Sequence, residues 1–158
     1  MADATTALDI GSIERVRELA DRFYAAHSAG PGNADKLLEL MTEDVDYQEP
    51  IQAEPTHGHA EFREWIDSLT HAFPDFRCER VGDPLVAPDG SRAAICWRGA
   101  GTFTGTLDPP GIPATGKRVE WESCDVQEYR DGKIARHRSN YDVASILRQL
   151  GLLPGTKR

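Results

Sequence analysis

Cysteine, positive charge and long apolar runs are all scarce in this 158-residue chain. Cys78, Cys96 and Cys124 are an odd number forming no close pair. That argues against a disulfide framework or a CxxC metal site and fits a reducing cytoplasm. Lys and Arg number 18 against 26 Asp and Glu, a formal net charge of -8. A general nucleic-acid binder needs a basic face to displace counterions, and an anionic membrane surface attracts only cations, so both partners are excluded. No apolar run is long enough to span a bilayer, and the opening Met1–Thr6 lacks both a charged and an apolar segment. Neither a transmembrane helix nor a signal peptide is expected.

What is present is enough for one core. Hydrophobic residues make up 39%, including three Trp, five Phe and four Tyr, which suits one compact domain and not two. The reading is a tail over residues 1–11, a single domain over 12–154, and a solvated tail over 155–158 with Lys157 and Arg158. Ser12 stands at the N-cap position of an amphipathic helix carrying Ile13, Val16, Leu19, Ala20, Phe23 and His27 on one face, stopped by Gly30. Asn33 caps a second helix through Met41. Alternation over 44–49 predicts a strand, and Phe62, Trp65, Ile66 and Leu69 mark a third helix.

From Arg77 onward the pattern turns to strands: Arg77–Val86, then Arg92–Thr104 with a bulge or bend at Gly99 and Gly101, then a hairpin of Lys117–Tyr129 and Lys133–Tyr141. A short helix, Val143–Leu150, ends the domain. Helices over one face of a bent antiparallel sheet give an α+β domain, and the long first helix across the concavity encloses a cone-shaped pocket.

The hairpin carries the chemistry. A three-residue turn, Arg130-Asp131-Gly132, pairs Tyr129 with Lys133 and avoids setting Arg130 against Lys133. One face then carries Trp121, Ser123, Asp125 and Gln127 opposite Tyr141, Ser139, His137 and Ala135. The other sets Glu120, Glu122, Cys124, Val126 and Glu128 near Arg138, Arg136 and Ile134. In that register Asp125 lies opposite His137, with Ser139 on the diagonal. A carboxylate beside an imidazole fixes its tautomer and raises its basicity, which makes a general base; the same pair can equally be a buried structural one.

Five segments occur in order: Phe73-Pro74-Asp75-Phe76, Gly101-Thr102-Phe103-Thr104-Gly105, Pro113-Ala114-Thr115-Gly116-Lys117, Asp131-Gly132-Lys133-Ile134 and Leu147-Arg148-Gln149-Leu150-Gly151-Leu152. Together they resemble the SnoaL-like polyketide cyclase family of the nuclear-transport-factor-2-like superfamily. The resemblance implies a cone-shaped α+β barrel of a strongly curved, mostly antiparallel sheet with helices over its concave face. It implies a homodimer through the sheet, no metal or organic cofactor, and ring closure by an intramolecular aldol. In the family's pattern an acid/base aspartate stands at Ser139, a histidine at Asp125 and another at Phe103, while His137 matches a family histidine.

The resulting expectation is a cofactor-independent cytoplasmic cyclase or isomerase of secondary metabolism, acting on an apolar, oxygenated, polyketide-like small molecule. Asp125 orients His137, the general base. Tyr24, Tyr47, Glu49, Ser139 and Tyr141 hold substrate, and Trp97, Phe103 and Trp121 shape the pocket. Asp142, at the N-cap position of the last helix, is a reserve acid. His57-Gly58-His59 has metal-ligand spacing but no third ligand, so no metal is expected. The alternatives are an epoxide-opening enzyme, since a tyrosine on the first strand positions water in related hydrolases, and a non-catalytic binding or dimerisation module.

Overall fold

A computed structural model describes residues 10–154. The chain runs α1 (Ile10–His27), α2 (Ala34–Leu38), β1 (Met41–Gln48), β2 (Thr56–His57), α3 (Gly58–Ala72), β3 (Arg77–Arg80), β4 (Leu85–Val86), β5 (Arg92–Thr102), β6 (Arg118–Arg130), β7 (Lys133–Arg138) and α4 (Val143–Gln149). Most of the expected first tail, residues 1–9, and the second, 155–158, lie outside the described residues. Helix α1 starts earlier than the sequence predicts, so Ser12 lies inside it and not at its N-cap.

The amphipathic faces land as expected. Helix α1 buries Val16, Ala20, Phe23, Tyr24 and His27 and exposes Glu14, Glu18, Asp21 and Arg22; α3 buries Phe62, Trp65, Ile66 and Thr70. Helix α2 is shorter than predicted, because Met41 already belongs to β1. Asn33 precedes α2 without capping it and donates its amide instead to the Ala26 and His27 carbonyls at the end of α1.

The seven strands form one sheet in the order β2-β1-β7-β6-β5-β3, with β4 also on β5. Among the described residues every pairing is antiparallel except β1 with β7. The sheet ends at β2 and β3 and does not close, so the barrel is an open one. The predicted strand Arg77–Val86 is two, β3 and β4, divided around Pro84, which has no N–H to give a ladder.

Two expectations about the long strands are corrected. The hairpin turn is the two-residue one: Arg130 pairs with Lys133 and Tyr129 with Ile134. Asp131 and Gly132 both have positive φ, 52° and 74°, the type I′ geometry that matches strand twist. The like charges are relieved because Arg130 bonds Asp44 and Lys133 is exposed. A register shift follows, after which Glu128 pairs with Arg136, Gln127 with His137 and Val126 with Arg138. Ala135 is the extra residue, so Ile134 turns inward and is fully buried while Gln127, His137, Asp125 and Ser139 still share the inner face.

The second concerns the bulge, one of the two alternatives at Gly99 and Gly101. The β5–β6 register runs unbroken from Arg92↔Glu128 to Thr102↔Arg118, so no bulge occurs there. Gly99 instead clears space for rings, since a Cβ on it would lie 2.8 Å from the Trp97 indole and 2.9 Å from the Phe76 ring. Gly99→Ala is expected to destabilise the fold by about 1–3 kcal/mol through overpacking. Urea denaturation measures this, and an unchanged midpoint would contradict the account.

Candidate functional site

The site is a cavity between the inner face of the sheet and helices α1 and α4. It has a volume of about 60 Å3, several times the minimum one water needs. Phe73, Phe76, Phe103, Trp97 and Trp121 line one side as an aromatic cluster: Phe73 stacks on Phe103 at 4.9 Å, and Phe76 on Trp121 at 5.3 Å. The Phe-Pro-Asp-Phe segment supplies two of these rings, and its Asp75 fixes their position by accepting from the Thr102 backbone N–H and hydroxyl at 2.7 Å each. Half-buried Ile51, Leu69, Ile112, Val143 and Leu147 complete the apolar lining. Helix α4 is held over the sheet by Gln149, whose side-chain amide accepts from the Glu120 N–H at 3.0 Å and donates to its carbonyl at 2.8 Å.

Asp125 on β6 is the polar centre. Its Oδ1 accepts from Ser139 Oγ at 2.8 Å and Ser123 Oγ at 3.2 Å, and its Oδ2 accepts from the Tyr24 hydroxyl at 2.9 Å. The Trp97 indole N–H lies near the same carboxyl without completing a hydrogen bond. Burial pushes the carboxyl up to about 6, with the donors of Trp97, Ser139, Tyr24 and Ser123 pulling the other way. Burial beside this carboxylate also holds the Tyr24 hydroxyl far above the usual phenol range, so it remains a donor.

His137 on β7 is 1% exposed and packed between rings: stacked on Tyr47 at 4.5 Å and against Phe23 at 5.1 Å. Its Nδ1 lies 3.2 Å from Gln127 Nε2, and the Gln127 carbonyl oxygen accepts from the Tyr129 hydroxyl at 3.0 Å. The amide so oriented donates to Nδ1, which assigns the ring proton to Nε2. Nε2 lies 3.1 Å from Ser139 Oγ and 3.5 Å from Asp125 Oδ2. A chain of donors therefore runs from His137 through Ser139 to Asp125.

This environment favours the carboxyl over the imidazole as proton acceptor. Burial, with Arg138 adding to it, lowers the His137 imidazole to about 3 despite the nearby carboxyl. Protonating Nδ1 would also set its proton against the Gln127 amide. His137 is thus a neutral donor near pH 7, and Asp125 is the group whose pKa lies near neutrality.

A second carboxyl shares the cavity. Glu49, just after β1, is 8% exposed and accepts from the Tyr47 hydroxyl at 2.5 Å and the Tyr141 hydroxyl at 3.0 Å. Burial raises its pKa against the pull of those two phenols. Tyr47 and Tyr141 are themselves pushed well above the usual phenol range, chiefly by burial and then by Glu49.

Asp125, His137, Tyr24, Tyr47, Glu49, Trp97, Phe103, Trp121, Ser139 and Tyr141 all line this one cavity. Asp142 does not: its carboxylate caps α4, accepting from Ser145 N–H at 3.0 Å, which removes it as a reserve acid. The His57 ring is exposed and lies 3.8 Å from Asp46, away from the cavity lining. Sequence reasoning missed Gln127 and Tyr129, which set the His137 tautomer, and His27, which lines the cavity with its Nε2 unpaired. Alternation with Asp125 on β6 was the available signal for Gln127 and Tyr129.

An open curved sheet with helices packed over a buried acid/base cavity defines the nuclear-transport-factor-2-like fold. Within it, the chain belongs to the SnoaL-like polyketide cyclase family, whose model matches residues 15–150. Comparison with curated proteins finds no significant match. Among solved structures, TsrD from Streptomyces laurentii is 27% identical with a TM-score of 0.73, over 92% of this chain and 99% of that one. A protein described as a polyketide cyclase from Pseudomonas putida is 26% identical with a TM-score of 0.70, over 84% and 96% of the two chains. A protein with a ketosteroid isomerase-like fold from Catenulispora acidiphila shares the architecture at 17% identity and a TM-score of 0.71, over 86% and 94%.

His27 is also lowered to about 3, chiefly by burial and then by His137. Neither His27 nor His137 is therefore expected to titrate between pH 5 and 8 in imidazole NMR spectra, and a midpoint near 6.5 for either would contradict the assignment. The sign for stability follows. Unfolded imidazoles take up protons below about 6.5 while the folded ones stay neutral, so both oppose folding increasingly as pH falls toward 3.

Proposed function

We propose that this protein is a cofactor-independent acid/base cyclase or isomerase acting on a largely apolar, oxygenated small molecule of the polyketide type. The observation that carries the reading is Asp125: a buried carboxyl with a pKa near 6, facing an aromatic cavity and held by donors from α1, β6 and the residue after β7. Ionised at neutral pH, Asp125 takes a proton from a carbon made acidic by a neighbouring carbonyl. Charge then moves onto that carbonyl oxygen, where a protonated phenol stabilises it; Tyr24, Tyr47 and Tyr141 are the available donors. The new nucleophile closes a ring onto a second carbonyl, or the proton returns to another carbon and the product is an isomer. The family's aspartate position is Ser139 here, and the carboxylate sits instead across the hairpin at Asp125, bonded to that serine. His137 is a positioning residue that orients Asp125 through Ser139.

The Glu49–Tyr47–Tyr141 cluster favours a second reading, epoxide opening, in which a buried carboxyl and two phenols act on the same oxygenated centre. Incubation of the protein in heavy water with a panel of aromatic β-dicarbonyl compounds separates the two. Deuterium gain at the carbon between the carbonyls, faster than in protein-free solvent, supports proton abstraction. Uptake of label by aryl epoxides in a parallel incubation in oxygen-labelled water, with no deuterium exchange on the first panel, supports the second reading.

Asp125→Asn is expected to lower the exchange rate by about 10²–10⁴-fold, the ordinary value of a positioned base. In the unaltered protein the rate is expected to rise with pH through an apparent pKa near 6, where Asp125 loses its proton. His137→Asn should move that pKa and leave most of the rate. Retention of full activity in Asp125→Asn would remove the proposal.

A further inference from the structure

On the opposite face of the sheet, strand pairing brings together two cysteines that are far apart in the sequence. Cys96 on β5 and Cys124 on β6 are direct partners in the antiparallel register. Two backbone hydrogen bonds define the kind of pair. Cys124 N–H donates across the other side of its strand to the Asn140 carbonyl at 3.2 Å, and the Asn140 side-chain amide donates back to the Cys124 carbonyl at 3.0 Å. The Cys96 carbonyl likewise faces away from β6, accepting from Val81 N–H at 2.8 Å. Neither residue spends its backbone groups on the other, so they form a non-hydrogen-bonded pair. In such pairs the Cα atoms lie about 4.5 Å apart and the side chains are closest, within the range a disulfide spans. Cys96 is exposed and Cys124 half-buried, and both thiols are free. The third thiol, Cys78, is on another strand and bonds the Tyr24 carbonyl at 3.5 Å.

We propose that Cys96 and Cys124 are a modification site: a dithiol that peroxide-class oxidants convert into an intramolecular cross-strand disulfide. The Cys96 thiolate attacks the peroxide oxygen, giving a sulfenic acid and releasing hydroxide. The Cys124 thiol then attacks that sulfur, forms the S–S bond and expels water, so two thiols and one hydrogen peroxide give one disulfide and two waters. Partial burial and then the neighbouring Cys96 raise the Cys124 pKa. Cys96 is the more exposed thiol and so the one a peroxide reaches first. The bond would staple β5 to β6 directly behind Trp97 and Asp125, the chain neighbours of the two cysteines that face the cavity.

The test treats the full-length, reduced protein with hydrogen peroxide, blocks the remaining thiols with an alkylating agent and digests it with trypsin without reduction. The expected product is peptide 93–98 joined to peptide 119–130, about 2 Da lighter than their sum, with Cys78 alkylated and dithiothreitol reversing the change. Cys96→Ser and Cys124→Ser should each abolish the linkage. Three outcomes would overturn the proposal: stepwise oxygen addition to unlinked cysteines, a linkage to Cys78, or a covalent dimer on a non-reducing gel. Recovery of both cysteines unmodified would do the same.

Discussion

The buried charge of Asp125 is the constraint around which this domain is arranged. A carboxylate taken out of water costs several kcal/mol unless donors replace the solvent. Here they come from helix α1 through Tyr24, from β6 itself through Ser123, and from the residue after β7 through Ser139. Each of those elements is oriented in part by the need to reach one pair of oxygens. The compensation is incomplete, which is why the carboxyl remains raised and chemically useful, not simply satisfied.

The same logic explains why the histidine is a helper. An imidazole gains basicity from a carboxylate only if it can hold two protons, and His137 has one nitrogen occupied by an incoming amide proton from Gln127. Tyr129 locks that amide by bonding its oxygen. The polar network thus has a direction, from Tyr129 through Gln127, His137 and Ser139 to Asp125. Cavity and network together separate a greasy compartment for substrate carbon from a narrow wall where protons move.

Much of this was legible in the residues. The amphipathic stripe of α1 placed Phe23 and His27 on the sheet side, and alternation along β6 put Trp121, Ser123, Asp125 and Gln127 on one face. Because strand periodicity is two, a register error of two residues left the same side chains facing inward, so the site composition survived the wrong turn. What alternation does not encode is which inward residue meets which. The turn was misjudged because like-charge repulsion was counted and the relief supplied by distant Asp44 was not. For Glu49 the alternation shows its side of the strand and its neighbour Tyr47, while its second phenol, Tyr141, comes from a segment far along the chain and is met only through folding. Cys96 and Cys124 become neighbours only through sheet pairing.

The parallel pairing of β1 with β7 carries a consequence for how the protein is made. Tyr47 lies beside His137 in that pairing, so the first strand of the sheet finds its central neighbour only in the last. On the ribosome, α1 to β5 emerge while β1 still lacks that neighbour, and the cavity has no far wall until residue 138 clears the exit tunnel. Contacts this distant in sequence slow folding. The acid/base site draws on β1, on β7 and on residues that follow it, so it is complete only when both ends of the domain have come together.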